Sequence, residues 1–165
     1  GLASFRGVER RYQLLGLAGD IRIVDDYAHH PAELKATLAA ARSVHPGRIV
    51  SVFQPHRYTR TRDCMQEFAA AFDDSDLVII SEIYPAGDSP IPGISGQVLA
   101  ERIGEQGHPD VRFISSLEAV CDELPKHLKP GDLVLTLGAG DVANLGEQLL
   151  QILSDAPSSP AEGSA

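Results

Sequence analysis

Ile21-Arg22-Ile23-Val24 runs straight into Asp25-Asp26-Tyr27-Ala28-His29-His30-Pro31, and this junction decides the fold. The short β-branched run reads as an extended strand. Pro31 suits the first position of a helix, because its ring fixes φ and the N–H it lacks would be unpaired there anyway. From Pro31 to Val44 the apolar period changes, and Leu34, Leu38 and Ala41 fall on one helical stripe. Strand, polar loop, helix is therefore the first unit, and it recurs along the chain.

On the N-terminal side, Arg11 to Leu17 is a second extended run, parted from Ile21 by Ala18, Gly19 and Asp20, which reads as a hairpin and sets an antiparallel edge. On the C-terminal side the helix stops near Pro46-Gly47. Arg48 to Phe53 (RIVSVF) is the next strand, and a single helix follows on which Cys64, Met65, Phe68, Ala71 and Phe72 repeat at three and four. Asp76 to Ser81 (DLVIIS) is a buried strand. Ile83 to Gly96 carries three prolines and three glycines, which predicts a long ordered loop before a helix capped by Ser95. Val111 to Ile114 is a further strand, and Ser115 with Glu118 forms a capping-box pattern for a helix carrying Leu117, Val120, Cys121 and Leu124. Leu133 to Leu137 (LVLTL) is the last strand. Gly138-Ala139-Gly140-Asp141 then leads into a helix with Val142, Leu145, Leu149 and Ile152 on one side. Strands alternating with helices give an α/β class: an open sheet of about six strands, mostly parallel with an antiparallel edge, with helices on both faces. The expected organisation is one domain over residues 1–156 and a disordered tail from Pro157 to Ala165.

Bulk composition narrows the function classes. A chain of 165 residues with 43% apolar content can bury one core without disulfides or structural metal. A formal charge of -9 argues against a general nucleic-acid or anionic-membrane surface, since both need a basic face. No run approaches the ~20 apolar residues of a membrane span, and no basic-then-apolar leader opens the sequence. Cys64 and Cys121 fall on apolar helix faces and are expected to be buried thiols of a reducing compartment. The cytoplasm is the expected location. The sequence opens on Gly1 and enters a patterned segment at once, which reads as a piece of a longer protein.

In open parallel sheets, ligands bind at the carboxyl ends of the strands near a switch in strand order. Three such ends here are polar. Asp25 and Asp26 are either loop and capping acids, or carboxylates that accept from a ribose, orient a histidine or help hold a divalent ion. His30 suits the cap of the following helix, leaving His29 as the functional candidate. His56, Arg57, Arg60 and Arg62 concentrate positive charge in an acidic chain. Because the arginine fork grips carboxylate or phosphate, and cations at a helix start call for a compensating anion, they point to an anion site. The Gly138 to Asp141 turn offers either backbone N–H groups to a ligand or a plain tight turn. No GxxxxGK[ST] phosphate loop is present, so any ATP must be held mostly by another domain.

The runs Asp25 to Pro31, Phe53-Gln54-Pro55-His56-Arg57-Tyr58-Thr59-Arg60-Thr61-Arg62, and Tyr84-Pro85-Ala86-Gly87-Asp88-Ser89-Pro90-Ile91-Pro92-Gly93 together resemble the C-terminal domain of the Mur ligases, in particular those that join L-alanine to UDP-N-acetylmuramate. The likeness extends from Phe5-Arg6-Gly7-Val8-Glu9-Arg10-Arg11-Tyr12 to the Gly138 to Asp141 turn. It implies a Rossmann-like domain that closes over ATP and brings the amino acid, while a central domain holds Mg2+ and most of the ATP, and an N-terminal domain holds the UDP sugar. In the reaction so implied, ATP phosphorylates the muramoyl carboxylate and the amine of alanine attacks the acyl phosphate. By motif position Arg11 resembles an arginine that approaches the phosphates and Asp26 an aspartate that contacts the ATP ribose. His56, Arg57 and Arg60 resemble the residues that receive the alanine carboxylate, Tyr27 the residue that limits side-chain size, and His29 a wall of the same pocket, suited to orient the amine or take its proton. No metal ligand is implied within this piece, and the piece alone is expected to be inactive. A related recycling ligase, which attaches a preformed peptide to the same nucleotide sugar, shares the aspartate-histidine-histidine-proline core. Tyr27 and the Tyr84 to Gly93 loop favour the alanine enzyme. A receiver-type signalling domain would need an aspartate after its third strand and a lysine after its fifth, where Glu82 and Gly138 stand. A metal-dependent phosphoesterase built on Asp25, Asp26, His29, His30 and His56 is the other alternative.

Overall fold

A computed structural model of the chain describes residues 10–157. Apart from Pro157, the expected tail lies outside the described residues, as do Phe5 to Glu9 of the N-terminal motif. Six strands form one sheet in the order β1-β2-β6-β3-β4-β5. β1 (Gln13–Ala18) and β2 (Ile21–Asp26) are the antiparallel hairpin, turned by Gly19 at φ 58. β2, β6 (Leu133–Leu137), β3 (Ile49–Phe53), β4 (Leu77–Ile80) and β5 (Val111–Phe113) run parallel, so their carboxyl ends share one edge. The last strand of the chain is inserted between β2 and β3.

Strict alternation sorts the side chains onto two faces. On one face Val24, Phe53, Val78, Ile80 and Leu135 meet Leu34, Leu38 and Ala41 of α1 (Pro31–Val44), Phe68 of α3 (Met65–Ala69), and Leu99 and Ile103 of α4 (Gly96–Glu105). On the other, Ile23, Val50, Val52, Ile79 and Val134 meet Val120 of α5 (Leu117–Glu123) and Leu145 and Leu149 of α6 (Leu145–Asp155). The result is a three-layer α/β sandwich. Phe53, Phe68 and Phe72 are fully buried, each contributing about 1.5–3 kcal/mol of transfer free energy.

Several local expectations are corrected. β2 runs on through Asp25 and Asp26, so these acids belong to the strand. The single helix expected after β3 is two short ones, α2 (Tyr58–Asp63) and α3, broken at Cys64. Ser95 does cap α4, accepting from the Val98 N–H, but α5 is capped by Ser116, one residue later than the Ser115 pattern. A 3-10 turn over Asp141–Asn144 precedes α6, and Ile152 is exposed rather than core. Cys64 and Cys121 are free thiols, half-buried rather than buried. No helix among the described residues is long and apolar enough to cross a membrane.

Candidate functional site

At the end of β2 the two acids divide their work. Asp25, 3% exposed, is spent inside the fold: it accepts from Thr136 Oγ1 at 2.7 Å and from Arg10 Nε at 2.7 Å. Arg10 also donates to the Gly138 carbonyl at 2.9 Å, and its guanidinium stands 5.4 Å from the centre of the Tyr27 ring. Asp26 accepts from the Ala28 N–H at 2.8 Å on one oxygen and from the Tyr12 N–H at 2.9 Å on the other. A carboxylate has about four lone-pair directions, so two remain. Beside it lies a cavity of about 350 Å³ lined by Arg11, Asp26, Tyr27, Ala28, Glu33 and Thr37, among others. Tyr27 is the wall between that cavity and the histidines.

His29 Nδ1 lies 2.9 Å from the Tyr27 carbonyl, a contact that requires the N–H on Nδ1, so that in the neutral ring the lone pair is on Nε2. Its ring meets Tyr27 edge-on at 4.8 Å, His30 at 4.7 Å and His56 at 5.9 Å. His56 stacks on Tyr84 at 5.5 Å. One row of rings thus connects the ends of β2, β3 and β4.

The β3 and β4 loops are joined by backbone. Tyr84 N–H donates to the Pro55 carbonyl at 2.8 Å, and Arg57 N–H donates to the Tyr84 carbonyl at 2.8 Å. The chain then turns sharply at Arg57, whose φ is 72. Arg60, one turn into α2, reaches back and donates to His56 Nδ1 at 3.1 Å. Burial first, then the charges of Arg60, His29 and Arg57, push the His56 pKa below its ordinary value. Burial followed by the charges of Arg60 and His29 does the same to His30.

The candidates therefore fall into two neighbouring groups. Tyr27, His29, His56 and Arg60 line one edge, with Arg57 at its outer end, 3.7 Å from Asp88. Arg11 and Asp26 share the cavity behind Tyr27. Arg62 pairs with Asp63 and takes no part. Asp88 also brings a carboxylate to the start of the arginine-rich helix, where it accepts from Thr59. Arg10, Asp88 and Tyr84 were not among the candidates. Arg10 and Asp88 act on residues 15 to 128 and 29 to 31 positions away, a relation no local pattern displays.

Residues 10–140 match the family described as Mur ligase, glutamate ligase domain. The chain belongs to the Mur ligase family. It is 50% identical over 157 residues to the UDP-N-acetylmuramate–L-alanine ligase of Geotalea daltonii, covering 95% of this chain and 34% of that protein. With the enzyme of the same name from Anaeromyxobacter sp. it is 51% identical over 152 residues, 92% of this chain and 33% of that protein. This Mur ligase chain spans about a third of the length of the curated relatives it matches. Among solved structures, a UDP-N-acetylmuramate-alanine ligase from Thermotoga maritima superposes with TM-score 0.70 at 28% identity, covering 90% of this chain and 30% of that one. A murein peptide ligase from Psychrobacter arcticus superposes with TM-score 0.74 at 22% identity, covering 92% and 31%. The second likeness is one of fold alone.

Two cofactor questions can be put to these residues. The lone pairs left on Asp26 and the cavity beside Arg11 fit a hydroxylated, anionic ligand, and the volume is at the low end of the roughly 300–1,000 Å³ typical of small-molecule pockets. For metal, His29, His30 and Glu33 bring three ligand atoms within 4.8 Å of one another. Imidazole nitrogen suits transition metals, whereas magnesium prefers oxygen, so this group does not fit Mg2+.

Proposed function

We propose that this chain is the C-terminal, amino-acid-binding domain of an ATP-dependent ligase that joins L-alanine to UDP-N-acetylmuramate in peptidoglycan precursor synthesis, in the cytoplasm. Residues 1–156 form that domain of a longer enzyme. The observation that carries the reading is the Arg60–His56 pair beside Arg57 at the strand ends: a group of N–H donors suited in kind to a carboxylate, next to the imidazole of His29.

In this reading Arg57, Arg60 and the Nε2–H of His56 receive the alanine carboxylate. His29 Nε2, with its lone pair free, orients the amine or takes its proton. Tyr27 limits the side chain. Asp26 accepts from the ribose and Arg11 approaches the phosphates from the same cavity. ATP would supply the phosphoryl group that activates the muramoyl carboxylate. Mg2+ and the remaining ATP contacts fall to the other two thirds of the parent, as does the nucleotide sugar, so the isolated chain is inactive.

The fold alone does not separate this ligase from the peptide-attaching one, since the murein peptide ligase superposes as well. Identity of 50% and 51% to the alanine ligases of Geotalea daltonii and Anaeromyxobacter sp. supports alanine. In the full-length enzyme, Arg60→Ala should raise the KM for alanine by about 10- to 100-fold with kcat less affected, as expected when a charged carboxylate contact acts through binding. An unchanged KM for alanine, or better turnover of a preformed peptide than of alanine by the unaltered enzyme, would overturn the assignment.

A further inference from the structure

The loop from Glu82 to Ser95 has no role in the reaction as described above. One of its side chains nevertheless reaches the anion site. Ala86 at φ 49 and Gly87 at φ 91 turn the chain back, with the Asp88 N–H closing the turn on the Pro85 carbonyl at 2.9 Å. This turn lays the Asp88 carboxylate over the start of α2. One oxygen accepts from both the Thr59 N–H at 3.1 Å and Thr59 Oγ1 at 2.8 Å. The other lies 3.7 Å from Arg57 Nη1.

α2 is six residues long and has no acid of its own in its first turn. One of its first free N–H groups, that of Thr59, is answered by a carboxylate from another strand's loop. Arg57 itself sits at φ 72, a region that non-glycine residues occupy only when their surroundings hold them there. Its carbonyl accepts from Thr61 N and Thr61 Oγ1, and its N–H is bound to the Tyr84 carbonyl, so every fixing contact comes from α2 or from the β4 loop. The Thr59 hydroxyl and N–H, followed by burial acting in the opposite sense and the Arg57 charge, keep the Asp88 carboxyl below its ordinary pKa, so it is ionised at neutral pH.

We propose that Asp88 is a positioning residue for the anion site: by gripping Thr59 and facing Arg57 it locks the β3 and β4 loops together and holds the Arg57 guanidinium where the substrate carboxylate arrives. Asp88 need not touch substrate. The guanidinium has five N–H donors, and a single Nη1 is turned toward Asp88. The proposal rests on the reading of Arg57 and Arg60 as the carboxylate-binding pair.

The test uses the full-length ligase with Asp88→Ala, Asp88→Asn and Thr59→Val, alone and with Arg57→Ala. Asp88→Ala should raise the alanine KM by about tenfold while kcat stays within about twofold, the signature of lost binding. Asp88→Asn, which keeps an acceptor for Thr59 but not the charge facing Arg57, should fall between. Added to Arg57→Ala, the Asp88 change should cost nothing further, because positioning is exerted through Arg57. Fully additive effects, or an unchanged KM in Asp88→Ala when Arg57→Ala raises it, would overturn the proposal. A crystal structure of Asp88→Ala decides independently of alanine: Arg57 should leave its positive φ or its guanidinium should become disordered, and an unmoved Arg57 sinks the idea. Should Arg57→Ala leave the KM untouched while that structure shows Arg57 displaced, the carboxylate reading fails and the positioning role stands. If Asp88→Ala does not fold, Thr59→Val removes half of the same grip and carries the kinetic comparison.

Discussion

The Arg60 guanidinium donates to Nδ1 of His56, and because arginine can only donate, that nitrogen must be the unprotonated one. Protonating His56 would place an N–H against an N–H. The same geometry gives the pH dependence. The folded-state pKa of His56 lies below the ordinary value of 6.5, through burial first and the neighbouring cations next. On acidification the unfolded chain therefore takes up this proton before the folded one does. The stability owed to neutral His56 is complete above pH 6.5 and declines as pH falls from there toward the folded pKa. In the folded protein Arg60 keeps this acceptor until the pH falls through the lowered folded pKa of His56, so alanine affinity should decline only there, below the ordinary value. An NMR titration of the His56 ring checks this, and a midpoint at or above the ordinary value contradicts it.

Arg10 is expected to matter more than its exposed neighbour Arg11. Replacing Arg10 with Ala leaves the carboxylate of Asp25, whose side chain is 4% exposed, with one hydroxyl donor. Breaking one side of such a buried pair costs about 3 kcal/mol. Urea unfolding should show that loss for Arg10→Ala and a change within about 0.5 kcal/mol for Arg11→Ala, as for a surface site. Equal effects would mean that Arg10 is more solvated than its contacts imply.

Gly96 opens α4 directly against the backbone of Ser81, the residue after β4. A Cβ there would collide with the Ser81 carbonyl, and the Gly96 N–H is bound to Glu82 Oε1 at 2.8 Å. Gly96→Ala should destabilise by about 1–3 kcal/mol, the usual range for overpacking. Thermal unfolding at fixed pH measures it; an unaltered midpoint would show that α4 can slide outward freely.

Tyr27 stands between the cation of Arg10 and the ring of His29. Shortening it to Ala opens the wall between the Asp26 cavity and the imidazole row. In the full-length enzyme the preference for alanine over valine, as a ratio of kcat/KM, should fall by about 10-fold or more, the scale set by one or two methylenes. A preserved ratio would place the side-chain wall elsewhere.

Much of the fold was legible because it rests on local patterns. Pro31 and the Leu34, Leu38, Ala41 stripe give α1 with its observed ends, and short apolar runs between turns locate the six strands. What was not legible depends on partners far along the chain. Asp25 and Asp26 read as following β2 rather than ending it, because the groups that hold them there are Thr136, Arg10 and Tyr12. The helix after β3 breaks at Cys64 although the apolar spacing runs through it, because Arg57 to Asp63 is held to the β4 loop while Phe68 and Phe72 are drawn into the core. The site was legible as residue types on strand ends. Its division into a ring row and a separate Asp26 cavity, and the Asp88 brace, required coordinates.

The insertion of β6 between β2 and β3 makes assembly order and substrate chemistry one problem. The loops bearing His29 and His56 leave strands that do not pair with each other; each pairs with a strand made much later, Leu133–Leu137. A ribosome has to release nearly the entire domain before those two imidazoles can become neighbours. Chain closure over such sequence separations is slow, and a nascent chain stalled short of residue 133 would expose two half-sheets with bare central edges to whatever holds it.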